Sequence, residues 1–298
     1  MAQIRVGELS LEYERFGPAD RAAVLLVMGL GAQMTRWPVE LCETLVERGF
    51  QVIRFDNRDI GLSTKLDWLG VPDIGALLAA RSAGQDGTPP YHLGDMAKDA
   101  IGLLDALGIG QAHIVGASMG GMIAQLIAAD HADRTRSLTS IMSTTANPAV
   151  PQGKPEAIGA LLTPAAPAGD EPAIAARGVR ISRIIGSPAY PQAEATLRDS
   201  ILADARRSYH PQGSARQLAA VLCAADRRPK LKTIRAPTVV LHGAEDPLVP
   251  VEGGQDTAAN IPGAELRIVP GMGHDLPLAL VATVADAIEA AAGRAAAA

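Results

Sequence analysis

The 298-residue chain reads as an α/β protein, with a mostly parallel sheet flanked by helices and a helical insertion late in the sequence. Three observations predict this. Short continuous apolar runs such as Val24-Leu25-Leu26-Val27-Met28 suit strands buried on both faces. Stretches of helical period separate these runs, as crossover connections between parallel strands require. The alternation lapses between about residues 147 and 230 and then resumes.

Each element has its own signal. Residues 3–16 alternate apolar positions (Ile4, Val6, Leu9, Leu11, Tyr13) around Gly7-Glu8, which predicts a β-hairpin. The run 24–28 is a buried strand ending at Gly29. Pro38 opens a helix with Leu41, Leu45 and Val46 on one side, and Gly49 stops it. A strand at 51–55 leads into the loop Asp56-Asn57-Arg58-Asp59-Ile60-Gly61. A helix over 94–107 carries Met96, Ile101, Leu104 and Leu107. A strand at 112–115 and a helix at 119–129 follow. Strands are expected at 138–142, 238–241 and 266–269, and a helix over 278–291 closes the chain. The Ala-rich tail 295–298 is expected to fray.

Residues 147–230 are rich in Pro and Ala, with helical segments near 171–186 and 190–208 and no strand signal. This predicts a core built from 1–146 and 231–298, with 147–230 as a helical cap over the carboxyl edge of the sheet. The competing reading packs these helices as additional core.

Composition excludes several function classes. Apolar residues make up 48% and charged residues 20%, as in soluble globular proteins. Aromatics are only 3%, so Ala, Leu, Ile and Val must build the core. The net charge of −5 gives no basic footprint for nucleic acid or an anionic membrane. No apolar run reaches the about 18 residues of a membrane span. The first residues have no charged segment leading into an apolar one, so a cytoplasmic protein is expected. Cys42 and Cys223 form no C-x-x-C pattern and read as two reduced thiols. A homo-oligomer is allowed by the sequence, but nothing in it specifies one.

The segment that carries chemistry is Gly116-Ala117-Ser118-Met119-Gly120, a G-x-S-x-G directly after a strand and directly before a helix. A serine at so sharp a turn stands clear of the sheet at the positive end of the following helix. The same residues would also serve a glycine-rich turn whose serine only caps that helix. A serine hydroxyl needs a base. His274, in the loop Pro270-Gly271-Met272-Gly273-His274 after the last strand, is the candidate. His113 and His242 lie in strands and read as satisfied core histidines. His92, His131 and His210 read as surface residues. The base in turn needs a carboxylate to fix its tautomer. Asp246 follows the strand that ends at Leu241-His242, with Glu245 as its competitor. The Met119 amide is one candidate oxyanion donor. The Leu30 amide, after the first buried strand, is the other, with Gly31 as the substitute.

Five pieces in order resemble the α/β-hydrolase superfamily over nearly the whole chain: Val27–Gly31, Phe55–Ser63, Gly116–Gly120, Gly243–Asp246 and Gly273-His274. Two departures, Met28-Gly29 for the usual His-Gly and Asp59 for a glycine, occur in a subgroup resembling aclacinomycin methylesterase. The resemblance implies the α/β-hydrolase fold and the order Ser118, Asp246, His274. It also favours Asp246 over Glu245 and implies hydrolysis of a carboxylic ester of a small molecule, with no metal or organic cofactor. The same three residues would serve perhydrolase or haloperoxidase chemistry, amide cleavage or C–C hydrolysis, and some proteins of this fold only bind ligands.

Overall fold

The computed structural model describes residues 1–85 and 87–296. Strands β1 (Ala2–Val6) and β2 (Leu9–Phe16) form the expected hairpin, and β3 (Ala22–Val27), α1 (Val39–Glu47) and β4 (Phe50–Phe55) follow. Helix α2 (Ile74–Ser82), which the sequence pattern did not predict, precedes α3 (Leu93–Ala106), β5 (Ala112–Ala117), α4 (Met119–Asp130) and β6 (Thr135–Ile141). The segment between β6 and the next strand holds α5 (Pro155–Leu162), α6 (Glu171–Ile185), α7 (Glu194–Arg207), α8 (Pro211–Leu222) and α9 (Arg228–Leu231). Then come β7 (Thr238–Gly243), α10 (Val251–Asn260), β8 (Glu265–Val269) and α11 (Val281–Ala296). Helix continues through Ala295 and Ala296, where fraying was expected. The rest of that tail, 297–298, lies outside the described residues.

The eight strands form one sheet in the order β1-β2-β4-β3-β5-β6-β7-β8. β2 runs antiparallel to both neighbours, and every pair from β4 to β8 is parallel. The order reverses at β3, which lies between β4 and β5. Such a switch point opens a crevice beyond the carboxyl ends of the strands.

The two-residue period of a strand sorts the core into two layers. Leu25, Val27, Ile53 and Ile114 face α3 and α4, packing against Met96, Leu103, Ile123 and Ile127. Val24, Leu26, Val52 and Val115 face the other way, onto Leu41 and Leu45 of α1 and Val284 and Ile288 of α11. Both faces of these strands are therefore dry, which is why they read as unbroken apolar runs. Among the described residues no helix is long and apolar enough to cross a membrane. Cys42 is buried in the second layer, and that burial pushes its thiol up to about 12. Cys223 is half-buried.

Candidate active site

Ser118 sits between β5 and α4 with φ 56° and ψ −121°. This backbone conformation is rarely adopted by a residue with a side chain. Close packing imposes it. A Cβ at Gly116 would lie 2.1 Å from the Gly120 carbonyl oxygen, and one at Gly120 would lie 2.0 Å from that of Val27. The bare backbones let α4 start directly on top of β3 and β5. The Ser118 amide donates to Ile141 O at 2.9 Å, and the Ser143 hydroxyl donates to Ser118 O at 2.8 Å. Sequence reasoning missed Ser143, which holds the turn from the neighbouring strand's loop.

The side chain of Ser118 points at His274. The distance from Oγ to Nε2 is 2.9 Å, and His274 Nδ1 lies 2.7 Å from Asp246 Oδ2. A carboxylate only accepts, so Nδ1 carries the proton toward Asp246, and Nε2 is left to accept from the Ser118 hydroxyl. The other Asp246 oxygen, Oδ1, accepts from the amides of Leu248 and Val249 at 2.9 Å each. Asp246 and His274 are both buried, at 6% and 8% exposure, so their interaction is shielded from solvent screening. Glu245 points away and accepts from the Gly271 amide. The arrangement can pass a proton from hydroxyl to imidazole and hold the resulting imidazolium against a fixed carboxylate.

The loop after β3 closes the other side. A Cβ at Gly29 would stand 3.2 Å from Ser118 Cβ and 3.7 Å from its Oγ. Strand pairing requires this approach, because Val27 lies opposite Gly116. Among the described residues the Leu30 and Met119 amides donate to no protein acceptor, whereas the Gly31 amide is taken by Gln217 Oε1 at 2.9 Å. Leu30 is thus open to a ligand and Gly31 is not.

The His274 loop leans on the helical insertion. The His274 amide donates to Ile185 O at 2.7 Å, and the Gly273 amide donates to Ser187 Oγ at 2.9 Å. Ser187 in turn donates to Asp275 through its hydroxyl and, at 3.0 Å, its amide. Burial pushes the Asp275 carboxyl above the usual carboxylate range. Neither Ser187 nor Asp275 carries a motif, and only their meeting in space gives them a role.

Three histidines depart from expectation, and one of them, His131, read as a surface residue, is simply half-buried. His242 is a core residue but only half satisfied. Its Nε2–H donates to Val249 O at 2.8 Å, while the buried Nδ1 has no partner. Burial lowers its affinity for a proton, against the opposing pull of the Val249 carbonyl and of Asp246 3.7 Å away. His210, expected on the surface, is half-buried with Nε2 3.0 Å from Asp67 and 3.2 Å from Arg216, because α8 begins there and packs on the loop after β4. Among the described residues no group of three or more His, Cys, Asp or Glu side chains is arranged to hold a metal ion.

Comparisons with known proteins agree with this architecture. The model of the Alpha/beta hydrolase family matches residues 24–287. Rhodomycin D methylesterase DnrP of Streptomyces peucetius is 28% identical over 300 residues, covering 94% of each chain. The 3-oxoadipate enol-lactonase 2 of Acinetobacter baylyi is 27% identical, covering 88% of this chain and 85% of its own. Among solved structures, the enol-lactonase from Burkholderia xenovorans LB400 superposes with a TM-score of 0.71 at 21% identity, over 97% of this chain and 100% of that one, a likeness of fold. Both the predicted fold and the resemblance to a methylesterase subgroup hold. With a family model spanning most of its length, the chain belongs to the alpha/beta hydrolase family.

Proposed function

We propose that this protein hydrolyses a carboxylic ester of a small molecule through an acyl-enzyme formed on Ser118. The observation that carries the reading is the unbroken hydrogen-bonded chain from Ser118 through His274 to Asp246, beyond the carboxyl ends of β5, β8 and β7 of one sheet. Ser118 Oγ attacks the ester carbonyl as His274 Nε2 takes its proton. The carbonyl oxygen gains the negative charge and is held by the Leu30 and Met119 amides. The latter sits at the first turn of α4, where the helix dipole adds to the pull. His274 then gives its proton to the leaving alcohol. Water then enters, loses a proton to His274 and adds to the acyl carbon. The carbon–Oγ bond breaks, His274 returns the proton to Ser118 Oγ, and the acid leaves. Asp246 stays ionised throughout and steadies the imidazolium.

The relatives named as a methylesterase and an enol-lactonase support an ester over an amide. The insertion 147–230 acts in this reading as a cap that shapes the substrate pocket. Its contacts with the His274 loop and with the loop after β3 support that role. The insertion holds two tyrosines, Tyr190 and Tyr209, anchored through their hydroxyls to Pro270 O and Ala166 O, and no phenylalanine or tryptophan, so extensive stacking on a planar substrate is not expected.

Ser118→Ala should abolish turnover of a short p-nitrophenyl ester, by about 10³-fold or more, in a protein whose thermal unfolding is unchanged. Undiminished turnover in that variant would reject the mechanism. A fluorophosphonate probe should label the native chain at Ser118, and no adduct would favour a protein that only binds ligands.

A further inference from the structure

The loop after β3 presents two successive amides near Ser118, and what occupies one of them comes from far along the chain. Gln217, on α8, is fully buried. Its Oε1 accepts from the Gly31 amide at 2.9 Å, and its Nε2 donates to Arg58 O at 3.0 Å. These two bonds fix which end of the side-chain amide is oxygen, and they tie the loop after β3 to the loop after β4. The preceding residue, Arg216, anchors the helix. Its guanidinium pairs with Asp59 at 2.7 and 2.9 Å and donates to Gly70 O at 2.9 Å. The approach is close, since a Cβ at Gly31 would lie 3.0 Å from Ser214 Oγ, also on α8. An apolar side chain at 217 would free the Gly31 N–H and the Arg58 C=O, whose bonds are only part-buried, and would remove the side chain that links the two loops through them.

We propose that Gln217 is a positioning residue for the oxyanion hole. By occupying the Gly31 amide and bracing it against Arg58, it leaves the Leu30 amide as the loop's open donor and holds it beside Ser118. The insertion then completes the catalytic machinery as well as covering it. This rests on ester hydrolysis at Ser118 as proposed above.

The test compares full-length wild type, Ser118→Ala, Gln217→Met and Gln217→Glu on p-nitrophenyl acetate. Gln217→Met is close in volume but makes neither bond. Its kcat should fall about 10- to 100-fold with KM within about threefold of wild type, since a displacement of about 1 Å suffices for such a loss. The inhibition constant of a short trifluoromethyl ketone, which forms the oxyanion, should rise by the same factor, while that of the product acid stays put. Gln217→Glu, whose buried carboxyl is expected to protonate, both accepts and donates and should retain most of kcat. In isotope-labelled wild type, adding the ketone should shift the Leu30 amide proton and leave that of Gly31 nearly unmoved. An undiminished kcat in folded Gln217→Met, or a Gly31 response in place of Leu30, would overturn the inference. The labelled wild type decides the matter even if Gln217→Met does not fold. Wild type without esterase activity, or Ser118→Ala with full activity, would instead overturn the ester reading and this inference with it.

Discussion

Among the described residues the four non-glycine positions with positive φ are Asp59, Ser118, Met142 and Ala146, at 73°, 56°, 40° and 62°. All four lie in loops that leave the carboxyl ends of β4, β5 and β6, the edge where the candidate site stands. Strain of this kind persists only where surrounding contacts hold it, about 1–3 kcal/mol at each such residue. Ser118 is held by Ile141 O and Ser143, and Asp59 by Arg216. A different residue governs the response to acid. Burial, helped by repulsion from Arg136, lowers His113 from 6.5 to about 4. The ring lies 2.8 Å from Ser137 Oγ and packs edge-on against Phe50. Because the folded value lies below the unfolded one, the unfolded chain binds the extra proton between them. Stability is therefore full above about pH 6.5 and falls as pH drops toward 4, by about 3 kcal/mol in all. Urea midpoints measured from pH 7 to pH 4.5 should show this loss. His113→Gln should shrink the slope without removing it, since burial lowers His242 in the same direction. A slope unchanged in that variant would show that His113 is not the group responsible.

At the scale of elements, the site depends on how closely α4 rides on the sheet. The helix buries every residue from Met119 to Ala128, and its first turn has glycine where it crosses β3. A methyl at position 120 would collide with Val27 O at 2.0 Å and with Met28 O at 2.8 Å, both backbone atoms that cannot swing aside. Gly120→Ala should thus lift the start of α4. The expected cost is about 1–3 kcal/mol or more by urea denaturation, from overpacking alone. Esterase turnover should fall with it, because the Met119 amide moves away from the loop after β3. A folded, fully active Gly120→Ala protein would mean that the turn has slack the packing does not show. On the far side, β7 delivers Asp246 through a turn whose own amides, Leu248 and Val249, grip the carboxylate.

Across the whole molecule, α7 and α8 bind the insertion to the sheet's loops with part-buried polar contacts. Arg207 pairs with Asp56 at 2.7 Å, Arg36 and Thr35 meet Asp204, and Gln33 donates to Asp204 O and Ser208 O. The most buried of these pairs, Arg216 with Asp59, has both side chains at 1% exposure or less. Burial would raise the Asp59 carboxyl, but the hydrogen bonds from Arg216 and the Leu66 amide outweigh it and hold it below the usual range. Breaking such a pair costs more than removing it. Arg216→Leu should destabilise by about 3–5 kcal/mol, since it strands a buried charge. Asp59→Gly combined with Arg216→Leu should recover most of that, because the charge goes and glycine suits φ 73°. Thermal unfolding of the two single variants and the double variant checks this, and simple additivity would show that the pair does not act as a unit.

The sequence by itself determined the parallel sheet, its two apolar layers and the loops that carry Ser118, Asp246 and His274. Each rests on local rules: strand periodicity, a glycine-bounded turn, and a short loop at a strand's end. It did not reveal α2, which buries no residue and so shows no apolar stripe. Nor did it reveal α10, whose buried face is Gly253, Gly254 and Thr257, with Gly254 against His242 and Gly253 against Thr144 and Val249. In the insertion, α8 was unread for a related reason: it buries Arg216 and Gln217, polar residues that break the hydrophobic period. Only the tertiary structure decided which amide after β3 stays open, how Ser187 meets Asp275, and which carboxylates neutralise the buried arginines. Those pairings join residues 40 or more positions apart, from Arg54 with Glu14 to Gly31 with Gln217, and no local pattern encodes a partner at such a distance. The folded chain selects it because a buried polar group left alone costs more than the order needed to satisfy it.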